Sequence, residues 1–153
     1  MILQKDKIIK LIKNNNLMSR VNFDDIGEIS VDLHTQYFYS GDEKLAYLPL
    51  PSNKGVIVQS REIIELPADI VGFVSIRNKW IRQGLILQAP VYQPGHKTSV
   101  TFSLYNISGN TIDLMGEDSF AQIMFYQLPS DSKEYIGKYY NEIDMLMDDS
   151  FHM

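Results

Sequence analysis

Val100-Thr101-Phe102-Ser103-Leu104-Tyr105 alternates apolar and polar side chains without interruption. A strand sends successive side chains to opposite faces, so Val100, Phe102 and Leu104 share one face and Thr101, Ser103 and Tyr105 the other. The stretch predicts a half-buried strand in which Ser103 turns away from the hydrophobic side, toward a polar site or solvent.

Working outward, similar strand-like runs fall at residues 30–33, 35–39, 55–59, 62–66, 71–76, 84–88, 98–105, 111–114 and 120–128. Turn formers separate them at Ser40-Gly41-Asp42, residues 49–53, Pro67-Ala68-Asp69, Gln93-Pro94-Gly95 and Ser108-Gly109-Asn110. Many short strands at such spacing are the pattern of a β-sandwich or barrel. Two helices interrupt it. Residues 5–13 carry Ile8, Ile9, Leu11 and Ile12 at helical spacing, with Asp6 expected as the cap and Asn14-Asn15-Asn16 as the stop. Residues 77–83 precede Gly84 and suit about two helical turns, whose free N–H groups would favour an anion beside Arg77 and Lys79.

A chain of 153 residues, 44% of them hydrophobic, can bury the core of one domain without cross-links. Cysteine is absent, and His34, His96 and His152 lie too far apart in sequence for a recognisable metal-ligand spacing, so no metal site is expected. Apolar runs fall short of the roughly 18 residues a membrane span needs, which predicts a soluble, cytoplasmic protein without membrane contact. A net charge of −5 argues against general nucleic-acid binding. Charge is nevertheless uneven. Residues 70–112 contain no Asp or Glu but include Arg77, Lys79, Arg82 and Lys97, a formal +4, leaving 10 basic and 19 acidic residues elsewhere. Such a segment suits either an ordinary solvated face or a pocket for a small polyanion such as a phosphate chain. After Leu128 the composition turns polar and then acidic, giving a domain over residues 1–128 and a C-terminal arm over 129–153.

Several segments together carry a resemblance. Ser30-Val31-Asp32-Leu33, the stretch from Glu65 through Val74, Arg77 through Leu85, Pro94-Gly95, Thr101 through Asn106, Ala121-Gln122 and Tyr135 through Tyr139 follow one another as in dCTP deaminases, relatives of the trimeric dUTPases. The resemblance covers nearly the whole chain. It implies a mainly-β, distorted jelly-roll-like barrel with a short N-terminal helix, one short internal helix and a C-terminal arm. It also implies a homotrimer with nucleotide sites between subunits, and Mg²⁺ entering on the nucleotide phosphates.

The resemblance implies site residues too. Arg77, Asn78, Lys79, Arg82, Gln93, Gln122, Tyr135 and Lys138 fall at nucleotide-binding positions, although Asn78 and Lys79 stand where the family has serines. Ser103 occupies the place of the glutamate that activates water for deamination, and Gln93 that of the aspartate before Pro-Gly. Neither side chain is a workable base at neutral pH, and general-base catalysis contributes roughly 10²- to 10⁴-fold. His96 is a candidate substitute base, set against a simple exposed turn histidine. Three functions follow. The first is a catalytically impaired relative that binds a pyrimidine deoxynucleotide or a protein partner. The second is an active dCTP deaminase or dUTP diphosphatase with rearranged groups. The third is a trimeric structural protein without a nucleotide site.

Overall fold

The computed structural model describes residues 1–133. Along the chain run α1 (Lys5–Lys13), β1 (Leu17–Ser19), β2 (Val31–Leu33), β3 (Thr35–Ser40), β4 (Glu43–Leu45), β5 (Tyr47–Leu50), β6 (Gly55–Glu65), β7 (Ile70–Ile76), α2 (Asn78–Ile81), β8 (Leu85–Gln88), β9 (Lys97–Asn106), β10 (Ile112–Met115) and β11 (Ala121–Gln127). The architecture is mainly β. Strands order as β4-β3-β6-β9-β8 with β1 also on β6, as β2-β11-β7, and as the pair β10-β5. Among the described residues every strand pairing is antiparallel. No helix among the described residues is long and apolar enough to cross a membrane.

The inner faces carry the alternating apolar residues. Val100, Phe102 and Leu104 are buried on β9, as are Val56 and Val58 on β6 and Ile123 and Phe125 on β11. Phe120 lies at their junction, edge-on to Phe38 at 6.0 Å and 4.4 Å from the Trp80 ring. Each fully buried side chain of this size contributes about 1.5–3 kcal/mol over its exposed state, so this junction fixes how the sheets and α2 meet.

α1 forms where its spacing predicts, burying Ile8, and ends at Asn14 with Asn15 in the left-handed region that Asn tolerates. The cap differs from expectation. Gln4 occupies the N-cap without a side-chain hydrogen bond, and Asp6 sits in the first turn, where its charge faces the helix dipole.

The two runs expected at 55–59 and 62–66 are one strand. β6 pairs with β9 from Gly55↔Tyr105 to Gln59↔Thr101 and resumes at Ile63↔Ser99, so three β6 residues oppose Val100. At this bulge the Ser60 hydroxyl accepts from the Val100 N–H at 2.8 Å and donates to the Glu62 carbonyl at 2.7 Å, replacing the lost ladder bonds. β1, β4 and β5 were not expected. They are short, and β5 carries Pro49, which an edge strand accommodates.

Candidate functional site

Ser103 lies where the alternation puts it. Direct register aligns Tyr39, Ile57, Ser103 and Gln88 across β3, β6, β9 and β8, and Tyr37, Gln59 and Thr101 in the next row. Residues directly opposite one another share a face, so these rows lie on the face of β9 turned away from Val100, Phe102 and Leu104, with Tyr39 and Gln59 themselves buried there. Ser103 lines three clefts there. One, about 740 Å³, runs between β6, β7, β9 and the segment leaving β8. Another, about 590 Å³, lies toward β3 and β5 and includes Lys54, and a third, about 250 Å³, includes Gln88 and Tyr105. None of the lining residues is Asp, Glu or His.

Beside Ser103, on the same face, a buried network holds its neighbours. The Tyr39 hydroxyl donates to Gln59 Oε1, and Gln59 Nε2 donates to Ser99 Oγ at 2.9 Å. Burial, reinforced by the neighbouring Tyr37 phenol, pushes the Tyr39 hydroxyl above its ordinary pKa. The phenol therefore stays protonated at neutral pH and offers no base.

The large cleft exists because β8 stops. Its ladder with β9 ends at Gln88↔Ser103, so the N–H and C=O of Thr101 have no strand partner on that side. The Tyr92 hydroxyl serves both, accepting from the Thr101 N–H and donating to its carbonyl at 2.9 Å each. Tyr92 itself is pinned to β7 by reciprocal backbone bonds with Gly72 at 2.9 and 3.0 Å.

Gln93, Pro94, Gly95 and His96 form a tight turn. The Gln93 carbonyl accepts from the His96 N–H at 3.1 Å, and Gly95 takes φ +83°, a value suited to the glycine after proline in a type II turn. Gln93 is exposed. His96 corrects the exposed-turn expectation, because it is only 5% exposed and its ring packs 5.1 Å from that of Tyr92. It does not line the clefts around Ser103.

The basic residues occupy a different place. Arg77 precedes α2, fixed by a 2.8 Å bond from its N–H to the Phe120 carbonyl. Its guanidinium lies 3.5 Å from the Asp32 carboxylate. Asp32, Gln122 and Ser75 are in direct register across β2, β11 and β7, and Ser30 Oγ donates to Gln122 Oε1 at 3.0 Å. Arg77 and Gln122 thus do converge, on a polar face of the three-stranded sheet. Sequence reading missed Asp32. Its signal was the alternation of Val31-Asp32-Leu33, which turns the carboxylate away from two buried neighbours.

α2 is shorter than expected, a single turn from Asn78 to Ile81. One turn aligns too few peptide dipoles to form an anion site, so binding here must come from side chains. Asn78, Lys79 and Arg82 are exposed. Lys79 Nζ lies 4.7 Å over the Trp80 ring, and Trp80 is anchored by its indole N–H to the Ser119 carbonyl at 2.8 Å. Gly84 ends the turn at φ +97°, and a Cβ there would meet Ser108 Cβ at 2.8 Å. Tyr135 and Lys138 lie outside the described residues, as does the arm from residue 134 onward.

A mainly-β chain with a polar strand face at Ser103 and a separate Arg77–Gln122 face shares its fold with proteins of deoxynucleotide metabolism. It resembles the solved structure of 2′-deoxycytidine 5′-triphosphate deaminase from Agrobacterium tumefaciens, with a TM-score of 0.70 at 14% identity over 81% of this chain and 48% of that one. It also resembles EIAV dUTPase, with a TM-score of 0.56 at 21% identity over 72% and 85% of the respective chains. The chain belongs to the dCTP deaminase-like family, whose profile matches residues 43–128. Among relatives, the dCTP deaminase of Pyrococcus furiosus is 31% identical over 98 residues, a match spanning 63% of each chain. That of Caldivirga maquilingensis is 24% identical over 163 residues, covering 91% of this chain and 90% of the relative.

Proposed function

We propose that this protein is a catalytically impaired member of its family that holds a pyrimidine deoxynucleotide without converting it. One observation carries the reading: Ser103, at the position matched to the family's glutamate, lines clefts that contain no Asp, Glu or His. Deamination and diphosphate hydrolysis both need water activated by a base, and the hydroxyl and amides around Ser103 cannot take its proton at neutral pH. Ile57, on the same face as Ser103, and Val74 give the large cleft apolar surface that suits a flat base. Arg77, Lys79 and Arg82 supply cations for a phosphate chain.

On one chain Arg77, Lys79 and Arg82 line none of the clefts around Ser103. A homotrimer, joining the cleft of one copy to the basic turn of the next, would unite them. Exposed Ile86, Tyr105 and Ile107 beside the unpaired edge of β8 support such self-association. Mg²⁺ would arrive with the phosphates. The described residues contain no cluster of three or more His, Asp or Glu able to cage an ion, and a phosphate-borne Mg²⁺ needs none. The setting would be the cytoplasm.

The test is a thermal-shift and turnover screen against dCTP, dUTP and dTTP with Mg²⁺. Stabilisation without ammonia or pyrophosphate release is expected. Release of either product that survives further purification would show an active enzyme instead, and no shift with any nucleotide would leave a protein-partner or purely structural role.

A further inference from the structure

We infer that Gln88 sets base selectivity in the large cleft, and that the facing pair Gln88 and Ser103 accepts 4-amino and 4-oxo pyrimidines alike. This deepens the nucleotide-holding reading and rests on it. Gln88 closes β8 directly opposite Ser103 on β9, and both side chains line the cleft of about 740 Å³. None of the lining residues there is ionisable, and the Thr101 hydroxyl is sealed from solvent. Side-chain readout of a base edge therefore falls to one amide and one hydroxyl.

Both groups are reversible. An amide offers a carbonyl acceptor and an NH₂ donor that exchange places on a half-turn, and a hydroxyl donates or accepts by rotating. A 4-amino pyrimidine presents a donor at its exocyclic nitrogen beside an acceptor at N3, and the 4-oxo form presents the opposite pair. Turning the Gln88 amide converts the complement of one edge into that of the other, with no charge to move. Its freedom to turn is visible by contrast. Gln59 is clamped by Tyr39 and Ser99, and Gln122 is held by Ser30, whereas among the described residues the Gln88 side chain has no hydrogen-bond partner and is exposed. A site of fixed polar groups rejects the wrong edge by leaving buried groups unpaired, which reaches about 10⁴-fold; a reversible pair forgoes that discrimination. An acceptor-only carboxylate opposite the base would instead favour the amino form.

Calorimetry with dCTP and dUTP, each with Mg²⁺, on the wild-type chain and on Gln88→Glu and Gln88→Leu tests this. Wild-type affinities for the two nucleotides are expected within about ten-fold of each other. Gln88→Glu should shift their ratio toward dCTP by about ten-fold or more, and Gln88→Leu should weaken both to a similar extent. Wild-type discrimination beyond about 100-fold, or an unchanged ratio in Gln88→Glu while both nucleotides still bind, overturns this inference alone. Failure of the wild type to bind either nucleotide overturns the nucleotide reading and this inference with it.

Discussion

The carboxylate of Glu62, 1% exposed, accepts both the backbone N–H of His34 at 2.7 Å and its Nδ1 at 2.9 Å. Arg61 Nη2 adds a contact at 3.4 Å, and Asp25 lies 3.8 Å from the far ring nitrogen. A charge buried at the β6 bulge is thereby tied to the turn between β2 and β3. Leaving a buried acceptor without one of its hydrogen-bond partners costs about 1–3 kcal/mol. His34→Ala removes the Nδ1 contact while the backbone N–H of residue 34 and Arg61 still reach the carboxylate, and it is expected to fall in that range in urea unfolding. Glu62→Gln keeps an acceptor for the His34 N–H and should cost less. Equal, small losses from both changes would show that the pair does not hold the turn.

Tyr39 gives a dependence on alkaline pH. Its phenol is raised above 10.0 by burial and by Tyr37, so the folded state binds this proton more tightly than the unfolded chain. Its contribution is fully present below the unfolded value and is lost as pH rises through the folded one. Between pH 9 and 11 the wild type should therefore lose stability more steeply than Tyr39→Phe, and the two slopes should agree near pH 8. Parallel curves over the whole range would contradict the assignment.

Tyr92→Phe should destabilise by about 1–3 kcal/mol, because it leaves both the N–H and the C=O of Thr101 without the hydroxyl that serves them. Amide exchange at Thr101 should quicken more than at Phe102 or Leu104. A uniform change along β9 would point to a general loss of packing.

Asp32 faces the same polar surface as Gln122 and holds Arg77 at 3.5 Å. Asp32→Asn removes a negative charge from the proposed phosphate face and releases the guanidinium. Triphosphate affinity is expected to rise about three- to ten-fold at low salt and to converge with wild type near 1 M salt, where charges are screened within about 3 Å. A fall in affinity would mean that Asp32 positions Arg77 productively.

How much of this was legible follows from what a linear pattern encodes. β9 and α1 read correctly because period-2 and helical spacing state directly which side is buried, and that placed Ser103 on its face. The order of motifs likewise carried the family. β6 read as two strands because the polar run Gln59-Ser60-Arg61 breaks alternation, while the residues that rejoin it, Ser60 and Val100, lie 40 positions apart. Residues 70–112 looked free of acids, yet Asp32 reaches Arg77 from 45 positions upstream through the pairing of β2 with β11. His96 looked exposed because turns usually are, and its burial depends on Tyr92 folding back over it. Gln88 gave no signal, since its importance comes only from facing Ser103.

The early end of β8 leaves room that side chains only line. Residues 89–91 leave β8, and Tyr92 then pairs with Gly72 of β7 while its hydroxyl completes the backbone pairing of β9. Loop insertions and deletions are tolerated far better than changes within a ladder. Lengthening or shortening this short excursion would resize the cavity while sparing the core, so the range of ligands this scaffold admits can drift by chain length as readily as by substitution.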